Sequence, residues 1–236
     1  MKLTPVDPHI LPIALATIAA RLELDSAPAL ALNRIAATAK NPIVCSEVST
    51  HRRGALELVR LAGLPAINEA PSSAFSWDGA AVRTDSEASV LIHEVAHWLI
   101  APPARRALPD FGLGAGPETG CAALADAACC VDNATKEEEE LLASLLGILF
   151  EAALGQPAIS AFIEQNWLEA WDRPVAARQF RVTVEKLLKR GLIDDSALPV
   201  LLQDGSTATA DISMRNSGQA SALTSTIADA GPSLGK

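Results

Sequence analysis

Apolar positions recur along most of this chain with the period of a helix. Leu11–Leu22 and Pro28–Ala39 read as two Ala/Leu-rich helices, broken at Asp25-Ser26, with Pro28 at a helix start and Asn41-Pro42 as the stop. Leu56, Leu58, Val59 and Leu61 predict a third helix from about Thr50 to Ala62, ended by Gly63. Further helices are expected over Ser86–Ile100, Thr119–Val131, Lys136–Leu154, Ala158–Trp171, Val175–Lys189 and, briefly, Ser196–Leu202. Thr135, with Glu138 three residues on, reads as a capping box opening the Lys136–Leu154 helix. The best strand signal is Ala74–Trp77 and Ala80–Arg83 around Asp78-Gly79, which predicts a hairpin with a type I′ turn. Ala104–Gly120, rich in Gly and Pro, is expected to form a lid or cleft wall. From Gln203 to Lys236 the chain turns Ser/Thr/Ala/Gly-rich, which predicts a disordered tail. There are no internal repeats.

The pattern is most telling in Ser86–Ile100. This helix is apolar all round and should therefore be buried, yet it carries His93-Glu94-Val95-Ala96-His97. Thr84, Asp85 or Ser86 can cap it, Glu87 suits its first turn, and Pro102-Pro103 ends it. Residues i and i+4 share a helix face, so both imidazoles can bind one ion, with Glu94 beside them as general base. Two histidines and a glutamate in a buried helix carry a desolvation cost, which a divalent cation relieves for all three. The bland alternative is two hydrogen-bonded core histidines and a glutamate that reaches solvent.

Composition narrows the field. The 236 residues are 49% hydrophobic, enough for one full core, and the lack of Tyr and scarcity of aromatics favour helices over a β-sandwich. We expect a predominantly helical α+β domain over residues 1–202, with a core for the metal over about 74–155 and the tail at 203–236. A net charge of −9 argues against nucleic acid or an anionic membrane as partner. The first 25 residues do not read as a signal peptide, and no stretch approaches a membrane span. Cys45, Cys121, Cys129 and Cys130 form no C-x-x-C pair; the adjacent Cys129-Cys130 is expected to be buried, and a reducing cytoplasm is the natural compartment.

Catalytic zinc sites commonly take three protein ligands and a water, so a third ligand must come from outside the His93–His97 helix. His9, His51, Asp110, Glu118, Asp126 and Asp132 are available, but the strongest source is the helix opening with Glu137-Glu138-Glu139-Glu140, of which Glu137, Glu139 and Glu140 are candidates. In Glu140-Leu141-Leu142-Ala143-Ser144-Leu145-Leu146-Gly147 the chain resembles the glutamate-ligand branch of the zincin metallopeptidases, the gluzincins. It is similar in particular to the small cytoplasmic peptidases of the ImmA/IrrE type, whose ligand Glu is followed by Ala three residues on and by an apolar-small pair at six and seven. The resemblance spans about residues 84–150. It implies a zincin-like core of HExxH helix, Glu-bearing helix and small hairpin or sheet. It also implies Zn²⁺ held by His93, His97 and Glu140, and Glu94 as general base in hydrolysis of a peptide or protein substrate by metal-activated water.

Two departures stand out. The spacer from His97 to Glu140 is long for the small members, consistent with an inserted lid. With no Tyr, oxyanion stabilisation falls to His51, to Arg52, Arg53, Arg83, Arg105 or Arg106, or to a backbone N–H. The rival expectations are a catalytically inactive zincin-fold regulatory or partner-binding protein, a hydrolase of non-peptide amides, and a helical interaction protein without metal.

Overall fold

Ala and Leu dominate this chain, and in the computed structural model it is predominantly helical with one two-stranded parallel sheet. Residues 9–40, 47–70, 76–115 and 122–203 are described. The helices are α1 (Ile10–Ala19), α2 (Ala27–Ala37), α3 (Glu47–Leu61), α4 (Ala88–Ile100), α5 (Ala122–Ala128), α6 (Asn133–Ala153), α7 (Ala158–Glu164) and α8 (Pro174–Lys189); the strands are β1 (Ala66–Ile67) and β2 (Val82–Arg83). The described residues up to Val200 pack as one unit. No described helix is long and apolar enough to cross a membrane.

Two helices organise the core. Leu145 to Phe150 of α6 are six consecutive buried residues, more than a full turn, so α6 meets protein on every side there. It packs on α4, α2, α7 and α8, and α3 covers another side of α4. Leu91, Ile92, Val95 and Ala96 of α4 are fully buried, as the apolar pattern predicts.

The helix ends depart from expectation. Asp132, not Thr135, caps α6, accepting the Thr135 N–H at 2.8 Å, so the helix starts three residues early. Glu138 is thereby free to reach α8, where Lys186 Nζ and Arg190 Nη2 donate to it at 2.6 and 3.2 Å. At α4 the N-cap is Glu87, with no side-chain cap bond. Ser86 Oγ instead donates to the Arg83 carbonyl at 2.9 Å, and Arg52 of α3 donates to the Ser86 and Thr84 carbonyls, tying down the approach to α4. Its C-terminus is as expected: Ala101, before Pro102, takes extended backbone.

The expected hairpin shrinks to one antiparallel bridge, Trp77 with Val82; Ala74 and Phe75 lie outside the described residues. Gly79 has φ +91°, but Asp78 is not left-handed, so the turn is not type I′. Asp78 instead accepts the N–H groups of Ala80 and Ala81 at 2.9 and 3.0 Å. β2 pairs in parallel with β1, with Ala66 opposite Val82.

The Ala158–Trp171 helix breaks at Asn166, which adopts φ 65°, and continues as a 3₁₀ turn over Trp167–Trp171. The expected Ser196–Leu202 helix starts late: Ser196–Leu198 is a turn, because the Asp194 carboxylate accepts the N–H groups of Ser196 and Leu198, and residues 200–203 are helical. The Thr119–Val131 helix is confined to α5 within the described residues. Cys129 and Cys130 are exposed free thiols, against expectation, lying beside Gly114 and Gly112. Cys45, Cys121 and residues 204–236 lie outside the described residues.

Candidate metal centre

Helical geometry places His93 and His97 one turn apart on α4, and their Nε2 atoms lie 3.0 Å from each other. α6 brings a carboxylate to the same point: Glu140 Oε2 is 3.5 Å from His97 Nε2 and 3.9 Å from His93 Nε2. The stripe Glu140, Ala143, Gly147 explains this approach. These positions share the α6 face toward α4; Ala143 is fully buried, and a Cβ on Gly147 would lie 3.8 Å from the His93 Cα.

The three donors fit a metal. Ligand bonds of 2.0–2.2 Å in a tetrahedron put donor atoms about 3.4 Å apart, and the observed 3.0, 3.5 and 3.9 Å bracket that value. Among the described residues, this trio forms a group of His, Cys, Asp or Glu able to hold an ion.

Of the other candidates, Asp110 lies close enough to raise the Glu94 pKa but is not one of the three clustered donors, and the rest lie elsewhere. Glu137 is exposed, and Glu139 is buried and ion-paired with Arg105. Asp126 accepts the Ala115 N–H, and Asp132 is spent on its cap. His9 is the exposed N-cap of α1, His51 lies on α3, and Glu118 is outside the described residues.

The charges of the cluster perturb one another in opposite directions. Burial and the neighbouring His97 lower the pKa of His93, keeping it in the neutral, metal-binding form. At His97 burial opposes charge, but Glu140, Glu94 and Glu139 outweigh it and raise the pKa. Glu140 is held below the usual carboxylate range: its burial is outweighed by His97, His93 and Lys136. Glu94, the adjacent buried carboxyl, is pushed up to about 7 by burial first, then by Asp110 and Glu140, against the pull of His97 and a hydrogen bond with Ser76.

Sequence reasoning offered Ala104–Gly120 as a lid or cleft wall but named neither Phe111 nor Trp77 as part of it. The Phe111 ring stacks on His97 at 5.5 Å and on Trp77 at 5.4 Å, and Trp77 meets Trp98 edge-on. Asp110 and Phe111 both take left-handed backbone, φ 45° and 54°. Thus the described part of the Gly/Pro-rich segment makes a 3₁₀ turn at Pro103–Arg105 and then a left-handed kink at Asp110–Gly112, which sets Phe111 against His97. No short-range pattern marks Ser76, Asp110 or Phe111, because their partners lie on α4.

The candidate oxyanion arginines are engaged elsewhere. Arg52 holds the Thr84 and Ser86 carbonyls; Arg83 pairs with Asp78 and donates to the Ala81 carbonyl. Arg106 donates to the Ala101 carbonyl and lies over Trp98, Arg105 bonds Glu139 and the Phe111 carbonyl, and Arg53 is exposed.

No protein-family model matches this chain, and neither a curated protein nor a solved structure does.

Proposed function

We propose that this protein is a zinc-dependent metallopeptidase of the glutamate-ligand type, with a zincin-like core built on α4 and α6. The observation that carries the reading is the convergence of His93, His97 and Glu140 from two helices, with Glu94 buried beside them. His93, His97 and Glu140 would hold Zn²⁺. When bound, it supplies Lewis acidity, which polarises a carbonyl and acidifies water.

The chain's own groups do the rest. Glu94, with a pKa near neutrality, takes a proton at its carboxylate and delivers it to the leaving amine. Ser76 orients that carboxylate by its hydrogen bond. Phe111 and Trp77 exclude water from the His97 side, since both rings are almost fully buried. With Arg52, Arg83, Arg105 and Arg106 committed to other partners, His51 and a backbone N–H stay open as oxyanion donors. The substrate class is a peptide or protein.

The test is Glu94→Gln. The variant should keep one zinc per chain by elemental analysis and lose peptide cleavage by at least about 10²-fold, the usual contribution of a general base. Cleavage at the wild-type rate sinks the assignment. A second reading, a zincin-fold regulatory or partner-binding protein without turnover, is favoured by the absence of Tyr and the engagement of those arginines. It expects zinc in both proteins and cleavage by neither.

A further inference from the structure

Arg105 and Glu139 form a buried ion pair between the Pro103–Arg105 turn and α6, their side chains only 11% and 9% exposed. Arg105 Nη2 bonds one Glu139 oxygen, and Nη1 donates to the Phe111 carbonyl at 3.1 Å. Each end of this bridge adjoins the proposed metal centre. Glu139 immediately precedes Glu140 on α6, and the Phe111 ring lies at 20° to the His97 ring, stacked on it. One guanidinium thus links the backbone beside the carboxylate donor to the aromatic wall behind a histidine donor.

Stability alone explains this pair poorly. Its second carboxylate oxygen, Glu139 Oε2, is buried with no partner among the described residues. A buried pair left half-satisfied is weak support for a fold, and an apolar pair of similar volume often serves as well. Geometry explains it better. Phe111 and its neighbour Asp110 hold left-handed backbone, which non-glycine residues keep only where the surroundings enforce it. The Arg105 bond to the Phe111 carbonyl supplies that restraint, together with the Asp110 N–H donated to the Trp77 carbonyl at 3.2 Å. A planar fork holds a carboxylate and a carbonyl in two fixed directions; an ammonium, whose three donors rotate freely, can meet both without fixing either.

We propose that Arg105 is a positioning residue, which sets the His97 ring and the Glu140 carboxylate in one geometry by bridging Phe111 to Glu139. This rests on the metal-centre reading above. Groups that orient metal ligands from behind typically carry 10–100-fold in affinity.

The test measures zinc affinity by chelator competition, and the visible spectrum of the cobalt-loaded protein, for wild type, His97→Ala, Arg105→Lys and the double variant Arg105→Met/Glu139→Leu. Wild type binds and His97→Ala does not. Arg105→Lys, which keeps the charge beside Glu139, binds zinc about 10–100-fold more weakly with a shifted cobalt spectrum. The double variant regains thermal stability without regaining affinity. A merely structural role predicts the opposite, stability and affinity returning together. Wild-type affinity and spectrum in either folded variant overturns the proposal. Arg105→Lys decides it where the double variant does not fold. Failure of wild type to bind zinc, or retention by His97→Ala, overturns the metal centre itself and the role of Arg105 with it.

Discussion

At the scale of single residues, two carboxyls in α4 and α6 stand out because burial pushes each to about 7: Glu94 at the site and Glu151 near the end of α6. Glu151 is raised by desolvation and then by the charge of Glu164. A raised folded pKa means the native state holds a proton that the unfolded chain has already lost, so stability falls as pH rises between 4.5 and about 7. The difference corresponds to about 3 kcal/mol at neutral pH. Glu151→Gln should therefore raise the melting temperature of the metal-free protein by about 6–12 °C at pH 8 and leave it nearly unchanged at pH 4. Equal shifts at the two pH values in thermal denaturation would count against a buried, protonated Glu151. Residues such as His93, Glu94 and His97 were legible because one helix carries all three at fixed spacing. Ser76 and Phe111 were not, and Asp110 was offered only as a possible ligand, because their contacts with that helix are made across a turn whose backbone only the folded chain defines.

At the scale of elements, the helical periods of α2, α3, α4, α6 and α8 could be read from apolar spacing, whereas the N-caps of α4 and α6 and the strand partner could not. Asp132 outcompeted Thr135 as N-cap because it alone sits three residues ahead of a free N–H with non-helical backbone behind it. β1, two residues long, has no alternating pattern to announce it, so the parallel pairing to β2 was invisible. The α4–α6 crossing was half legible: Ala143 and Gly147 could be seen as small, but only packing shows that Gly147 faces the His93 backbone. That contact is testable. A Cβ at Gly147 meets atoms only at 3.8 and 3.9 Å, ordinary van der Waals distance, so Gly147→Ala should stabilise the protein by up to about 1 kcal/mol through helix propensity. Gly147→Leu should cost about 1–3 kcal/mol and weaken zinc binding, since the longer side chain wedges α4 away from Glu140. Denaturant melts of both variants check the sign, and a Leu variant as stable as the Ala variant would contradict the close crossing.

At the scale of the molecule, the proposed centre staples α4 to α6, the most heavily packed helix pair, and so should couple metal to global stability. Free zinc at a hundred times its dissociation constant adds about 2.7 kcal/mol to the folded state. For a domain of this size that is a rise of about 5–10 °C in melting temperature, absent in His97→Ala. The same affinity should fall with decreasing pH, because His97 must lose its proton to bind, and its raised pKa makes the fall begin above the range of a free imidazole. Calorimetry with and without zinc at two pH values checks both; a melting temperature indifferent to zinc would leave the two helices joined by packing alone. The exposure of the three donors is uneven, and this fixes the direction of traffic. The His97 side chain is 7% exposed and backed by Phe111, while those of His93 and Glu140 are 34% and 42% exposed. Among the described residues the cluster therefore opens on one flank only. An ion entering the proposed centre would meet His93 and Glu140 first and His97 last. If the proposed peptidase reading holds, a polypeptide substrate would lie along the His93–Glu140 rim, and that rim, rather than the deeper wall, would set which chains are admitted.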